Sequence, residues 1–368
     1  MIDFLLAILP SVAFLSLMAG VLALLLVIAE AHISNYGECK IVVNDEKEIA
    51  IAGGQSLLAS LAARGIFLPS ACGGRGTCAY CKAKVLEGGG PLLPTEEPYL
   101  TDDERKENVR LACQVKVRND LKIDIPEELF NIREYRARVA RIADLTYDIK
   151  ELRLELTRPE TIKFKAGQYV QLRAPKYPGN NQEAYRAYSV ASPPSDNRAI
   201  ELVIRKVPGG VCTTYVFEHL KEGDEVVFNG PYGEFTLCAS DAQVVLVAGG
   251  SGFAPIRAML LDNPEELERR NARFFFGANE KRDLFYTDLM KDITEKHPGI
   301  EFIPVLSRPS NGWDGETGLI TQALERRLEN ADGKEFYLCG SPGMIDACVA
   351  IFTKKGASDD AIFYDKFA

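Results

Sequence analysis

Val244-Val245-Leu246-Val247-Ala248 runs without a break into Gly249-Gly250-Ser251-Gly252-Phe253-Ala254-Pro255-Ile256-Arg257. The apolar run reads as a strand buried on both faces, and the glycines read as a turn opening a helix. Close backbone approach to a dinucleotide explains such glycines better than a plain turn does. Downstream, Arg273–Gly277, Glu301–Val305 and Glu335–Cys339 are further apolar runs separated by helical stretches. That alternation predicts a doubly wound α/β domain with a parallel sheet over residues 241–368. Such sheets bind ligands beyond the carboxyl ends of their strands. Gly249, Gly250, Ser251, Gly252 and Pro255 are therefore candidate nucleotide contacts, as are Cys339 and Gly340 in Tyr337-Leu338-Cys339-Gly340-Ser341-Pro342-Gly343-Met344. A buried core thiol is the plainer reading of Cys339.

Upstream the period changes. Tyr135–Ala143, Ile149–Glu155, Gln168–Arg173 and Ile200–Lys206 alternate apolar and polar residues, which predicts an antiparallel β domain over 133–238. Within it Arg186-Ala187-Tyr188-Ser189 combines a cation, an aromatic face and a hydroxyl at a strand end. Such a set suits a flavin: Arg for the pyrophosphate, Tyr against the isoalloxazine or ribityl, Ser near the reactive N5, although taken alone an ordinary strand end is the plainer reading. Gly209-Gly210-Val211-Cys212-Thr213-Thr214 follows as a turn opening a helix whose N-terminal N–H groups suit a phosphate. Gly230-Pro231-Tyr232-Gly233-Glu234-Phe235 comes next.

A break at Ile125-Pro126-Glu127-Glu128 separates this domain from residues 36–126. There Cys39–Val43 and Glu48–Ala52 read as strands flanking Asn44-Asp45, and Ser56–Arg64 as a helix capped by Ser56. Cys72, Cys78 and Cys81 stand as C-x5-C-x2-C, and Cys113 follows in Leu111-Ala112-Cys113-Gln114. Four thiolates are what a [2Fe–2S] cluster requires, and a glycine-rich interval lets backbone N–H groups approach its sulfurs. A structural zinc site is the alternative, although it favours two C-x2-C pairs. Nine cysteines in 368 residues, with no disulfide framework, indicate a reducing compartment. Buried inert thiols account best for Cys39, Cys238 and Cys348.

The cysteine motif resembles the plant-type ferredoxin domain, with five residues in the first interval where the plant type has four. The flavin and nucleotide motifs, in their order and spacing, resemble the ferredoxin–NADP reductase superfamily. Together with the N-terminus the arrangement is similar to the F subunits of sodium-translocating NADH:quinone oxidoreductases. The resemblance implies a β-grasp [2Fe–2S] domain, a six-stranded β-barrel holding FAD and an NADH-binding domain. It places Ser189 and Cys339 beside the flavin and the nicotinamide. In the closing Tyr364-Asp365-Lys366-Phe367-Ala368, it makes Phe367 an aromatic cover over the flavin, where a docked hydrophobic tail is the bland alternative. The segment Phe276–Tyr286 corresponds to the part that reads the adenosine side, with Asp283 among its contacts. Asn279 stands where many members carry Arg, and Glu280 is adjacent, so NADH is favoured over NADPH.

Residues 1–31 contain a run without charge, Phe4–Ala29, long enough for a single transmembrane helix. A signal peptide is the alternative, against which stand the length of the run and an n-region bearing Asp3 and no cation. The net charge of −9 argues against a nucleic-acid partner, because phosphate neutralisation needs clustered cations. The expectation is a multidomain, single-pass protein of the cytoplasmic membrane, its soluble domains facing the cytoplasm. It passes electrons from NADH through FAD and [2Fe–2S] to other membrane subunits of an electron-transfer complex. The reductase component of an oxygenase, and a non-catalytic redox sensor, are the alternatives.

Overall fold

The computed structural model describes residues 14–25, 36–70, 72–126, 129 and 132–366. By internal contacts the chain divides into two compact units, Met1–Leu68 with Ala79–Leu129, and Pro69–Cys78 with Phe130–Ala368.

In the first unit, residues 14–25 form an exposed helix, α1. No described helix is long and apolar enough to cross a membrane. The expected transmembrane helix is therefore not shown: of Phe4–Ala29 only residues 14–25 are described, and the rest lies outside the described residues. Strands β1 (Glu38–Val43) and β2 (Lys47–Ala52) form a hairpin. Asn44 and Asp45 between them take φ of +52° and +56°, the left-handed pair that matches the twist of a tight hairpin. Helix α2 (Leu57–Ala62) is capped by Ser56, whose Oγ accepts from Ala59 N at 3.3 Å. After β3 (Lys82–Glu87), α3 (Asp102–Lys106), β4 (Val109–Leu111) and β5 (Leu121–Asp124), the sheet order is β2-β1-β5-β3-β4. β1 runs parallel to β5 and the other pairs are antiparallel, the β-grasp arrangement expected. Ile41, Val43, Leu57, Leu61, Leu111 and Ile123 are buried in its core.

The second unit opens with β6 (Arg133–Asp144), β7 (Ile149–Arg158), β8 (Tyr169–Ala174), β9 (Ala184–Ser189), β10 (Ala199–Arg205), α4 (Val211–Thr214) and β11 (Glu225–Tyr232). The strands form an antiparallel sheet in the order β10-β7-β6-β11-β8-β9. Its edges meet only through the bridge Val190↔Leu202, so the barrel is half-closed rather than the complete six-stranded barrel expected. Val139, Leu154, Val170, Leu172, Leu202 and Phe228 fill its interior.

There follow β12 (Gln243–Gly249), α5 (Phe253–Asp262), α6 (Pro264–Arg269), β13 (Arg273–Ala278), α7 (Thr287–Lys296) and β14 (Glu301–Leu306). The chain closes with β15 (Glu316–Thr317), α8 (Ile320–Arg327), β16 (Lys334–Gly340), α9 (Pro342–Lys354) and β17 (Ile362–Lys366). All neighbours in the order β15-β14-β13-β12-β16-β17 are parallel. The run Phe274-Phe275-Phe276 explains itself here: Phe274 and Phe276 pack on the α5 side and Phe275 on the α8 and α9 side. A strand apolar at every position has two covered faces. The order reverses between β12 and β16, which makes their carboxyl ends the topological switch point.

Candidate functional site

The glycine turn lies at that switch point. A Cβ on Gly252 would stand 2.2 Å from the carbonyl oxygen of Cys339, so only glycine lets α5 start this close to β16. Gly250 adopts φ of +55°, and the guanidinium of Arg205 at the end of β10 lies over it, with Nη1 3.3 Å from where a Cβ would be. Asp148 holds Arg205 through Nε at 2.8 Å. A cation over a glycine turn at a helix start suits a pyrophosphate. Gly249 closes β12, Ser251 is half-buried in the turn, and Pro255 is buried in the first turn of α5.

Parallel pairing of β16 with β17 puts Cys339 opposite Asp365. Asp365 in turn accepts from Ser189 Oγ at 3.4 Å. Ser189, Cys339 and the switch-point glycines thus belong to one junction, to which Gly340 contributes the last residue of β16. Burial pushes the Asp365 carboxyl up to about 6, partly offset by the hydroxyl of Ser189. Burial, reinforced by the nearby Asp365 charge, pushes the fully buried Cys339 thiol well above its ordinary range, so it is a neutral packing group. Phe367 lies outside the described residues.

Along β9, Arg186 and Tyr188 share one face and Ala187 and Ser189 the other. Tyr188 packs on the barrel core, and burial raises its phenol. Of the second flavin segment, Gly210 caps α4 and Val211 packs on the barrel. The Thr213 hydroxyl is already used by the backbone of Val207 and Gly210. The Cys212 thiol is buried against the Ala184 carbonyl at 3.4 Å, and burial pushes it up to about 11. What this segment can offer a phosphate is its backbone at the helix start, not these side chains.

Asp283 uses Oδ2 to cap its own turn, accepting from Glu280 N at 2.9 Å, while Oδ1 is buried with no partner. An orphaned acceptor costs free energy and fits the hydroxyl of a bound ribose. Beside it, the Glu280 carboxylate holds Arg282 at 3.0 Å and Arg308 at 3.5 Å.

Among the cysteines, Cys78 Sγ donates to Cys72 Sγ at 3.4 Å. That bond, with others from Thr77 and Arg75, outweighs burial and draws Cys72 down to about 3. A thiolate so favoured is the ligand form an iron–sulfur centre takes, so this pair fits the group chemically. Cys81 is buried and Cys113 half-buried in the first unit, where Gln114 donates to Cys113 Sγ at 3.6 Å. Among the described residues, no three His, Cys, Asp or Glu side chains converge as a metal site.

Sequence reasoning missed Asp365, Arg205 and Arg257. The first has a visible signal, a carboxylate among the aromatics of the tail. The two arginines look like ordinary solvated cations until the fold brings them against the turn and the barrel.

Residues 41–118 match the 2Fe-2S iron-sulfur cluster binding domain family, 136–237 the oxidoreductase FAD-binding domain and 246–350 the oxidoreductase NAD-binding domain. The chain is 34% identical to the F subunit of the Na(+)-translocating NADH-quinone reductase of Neisseria gonorrhoeae, covering 94% of this chain and 96% of that protein. It is 35% identical to the F subunit of the same reductase in a Marinomonas species, covering 98% of both. Among solved structures, the Amycolatopsis cytochrome P450 reductase GcoB matches with a TM-score of 0.71 and 30% identity, over 89% of this chain and 98% of that one. A ferredoxin reductase in carbazole 1,9a-dioxygenase matches with a TM-score of 0.68 and 26% identity, over 90% and 99%.

Proposed function

Because the chain belongs to the family of Na(+)-translocating NADH-quinone reductase F subunits, we propose that it is the electron-input subunit of a membrane-associated complex. It oxidises NADH and passes the electrons to a partner in or at the membrane. The flavin, when bound, supplies the change from a two-electron hydride to the single electrons that a [2Fe–2S] centre accepts. The observation that carries the reading is the junction of Ser189, Asp365 and Cys339, where the flavin motif meets the switch-point end of β16.

Arg186, Ala187, Tyr188 and the start of α4 from Gly210 hold the flavin and its phosphates. Gly249–Gly252 and Gly340 admit the dinucleotide, and Asp283 Oδ1 takes a ribose hydroxyl. Ser189 presents its hydroxyl to the reacting edge, and Asp365 orients that hydroxyl. Cys339 excludes water there as a neutral thiol. Cys72, Cys78, Cys81 and Cys113 ligate the cluster. The domains run 36–126, 133–238 and 241–368, and Phe4–Ala29 anchors the chain as a single span with the domains in the cytoplasm.

The test is C81S and C113S in the full chain. Each should abolish NADH-driven reduction of one-electron protein acceptors while NADH–ferricyanide activity at the flavin persists. Survival of both activities would remove the cluster from the path. The likeness to the P450 reductase favours a second reading, donation to a soluble oxygenase, which co-purification of partners separates from the first.

A further inference from the structure

Arg257 sits in α5, one turn past the dinucleotide turn, with its side chain only 13% exposed. Its Nη1 donates to the Ala191 carbonyl at 2.9 Å and to Glu201 Oε2 at 2.7 Å. Its guanidinium lies 4.9 Å from the ring centroid of Tyr286, whose hydroxyl donates to the buried Glu151. Glu151 also accepts from Arg141, and Glu201 from Arg153 at 3.2 Å. Burial opposes charge on Glu201, but Arg257 and Arg153 together hold its carboxyl below the ordinary range. One side of this set belongs to the nucleotide domain, in α5 and the residue before α7. The other side belongs to β6, β7, β10 and the segment after β9.

Such a set is a poor device for stability, because desolvating buried charges cancels most of their attraction and apolar packing would serve as well. What it gives is a fixed geometry. Tyr286 keeps φ of +57°, a strained conformation for a bulky residue that persists only where its surroundings over-determine it. Arg257 leaves Nε buried without a partner while both acceptors of Nη1 are kept. Ala191 is two residues beyond Ser189, so this bond and the Ser189–Asp365 bond tie the flavin motif to α5 and to β17.

We propose that Arg257 is a positioning residue: it fixes the dinucleotide turn and its helix against the strand end bearing Ser189, and so sets the approach of nicotinamide to flavin. The proposal rests on the reading that this unit carries hydride transfer between the two. It would act through geometry, where an error of about 1 Å costs up to roughly a hundred-fold in rate.

The experiment mixes the flavin-loaded full chain with NADH and follows flavin bleaching in the parent, R257M and R257K. NADH affinity comes from the concentration dependence, with flavin content and amide exchange at residues 190–192 measured alongside. R257M should lower the limiting rate by roughly ten-fold or more. NADH affinity and flavin content should stay within about two-fold, and exchange at 190–192 should rise. R257K keeps the charge beside Glu201 but not the planar fork, and should recover stability and part of the rate. A limiting rate for folded R257M within about two-fold of the parent, or a loss confined to affinity or flavin content, overturns the proposal. Should R257M not fold, R257K decides: a fall in limiting rate supports the role and an unchanged rate overturns it. A parent that NADH does not bleach would instead overturn the hydride-transfer reading.

Discussion

Asp365 carries a carboxyl whose value near 6 in the folded chain lies above the roughly 3.9 of an exposed aspartate. Below about pH 4 both states are protonated and the group contributes its full share of stability. As pH rises through 6 the unfolded state ionises first, and that share is lost. D365N, neutral throughout, should therefore melt a few degrees above the parent at pH 8, the gain shrinking to nothing near pH 4 in a calorimetric series. A gain constant across that range would mean that Asp365 is not desolvated as its surroundings imply. Glu280 makes a second prediction, because its carboxylate occupies Arg282 and Arg308 where a 2′-phosphate would otherwise meet free cations. E280Q should shift the ratio of kcat/KM for NADPH over NADH upward by roughly ten-fold, the effect of about 1.4 kcal/mol. It should also tighten binding of 2′-phospho-AMP relative to AMP in titration calorimetry, and an unchanged ratio would exclude Glu280 as the discriminator.

At the scale of elements, the turn before β4 depends on one buried ion pair. The fully buried carboxylate of Glu96 accepts from Arg110 Nη2 at 2.6 Å and from the backbone N–H groups of Leu111 and Leu93 at 2.9 and 3.0 Å. Arg110 also binds the carbonyls of Gly89, Gly90 and Pro91, so the long β3–β4 connection is pinned to β4 just before Cys113. Removing one partner strands a buried charge, so E96A should cost about 3–5 kcal/mol in denaturant unfolding of the full chain. A loss under about 1 kcal/mol would mean that water reaches Arg110. None of this is readable beforehand, since Glu96 and Arg110 look in sequence like two charges among many. The strands were readable where burial imposes a pattern, as in β12 and β13 with both faces covered and β6 with alternating sides, whereas β10, expected to alternate, is buried from Ala199 to Ile204 because Val203 packs with the nucleotide domain. β17 was not, because Ile362–Lys366 is a short mixed stretch whose strand state comes from pairing with β16. The same pairing brings Asp365 to Ser189 across 176 positions, a proximity that no local motif encodes.

For the molecule as a whole, the question is where the electrons go and what that transfer drives. Phe4–Ala29 contains no ionisable residue, and intramembrane ion pathways are built from such residues, so a span of the proposed kind would itself offer a cation no ligand. On the proposed reading, coupling to sodium resides in partners and should be separable from the chemistry of this chain. An affinity tag belongs in the exposed loop at residues 308–312 rather than at the C-terminus, because β17 contributes Asp365 to the junction. Extracted in mild detergent from its native membrane, the tagged chain should bring down several multi-span subunits and reduce quinone in a sodium-stimulated reaction. Freed of those partners, it should keep NADH–ferricyanide activity at an unchanged rate but lose both quinone reduction and the response to sodium. Recovery of a soluble oxygenase instead would assign the chain to donation outside the membrane. A sodium response retained by the isolated chain would overturn the separation itself, because it would require a cation site among residues otherwise devoted to electron transfer.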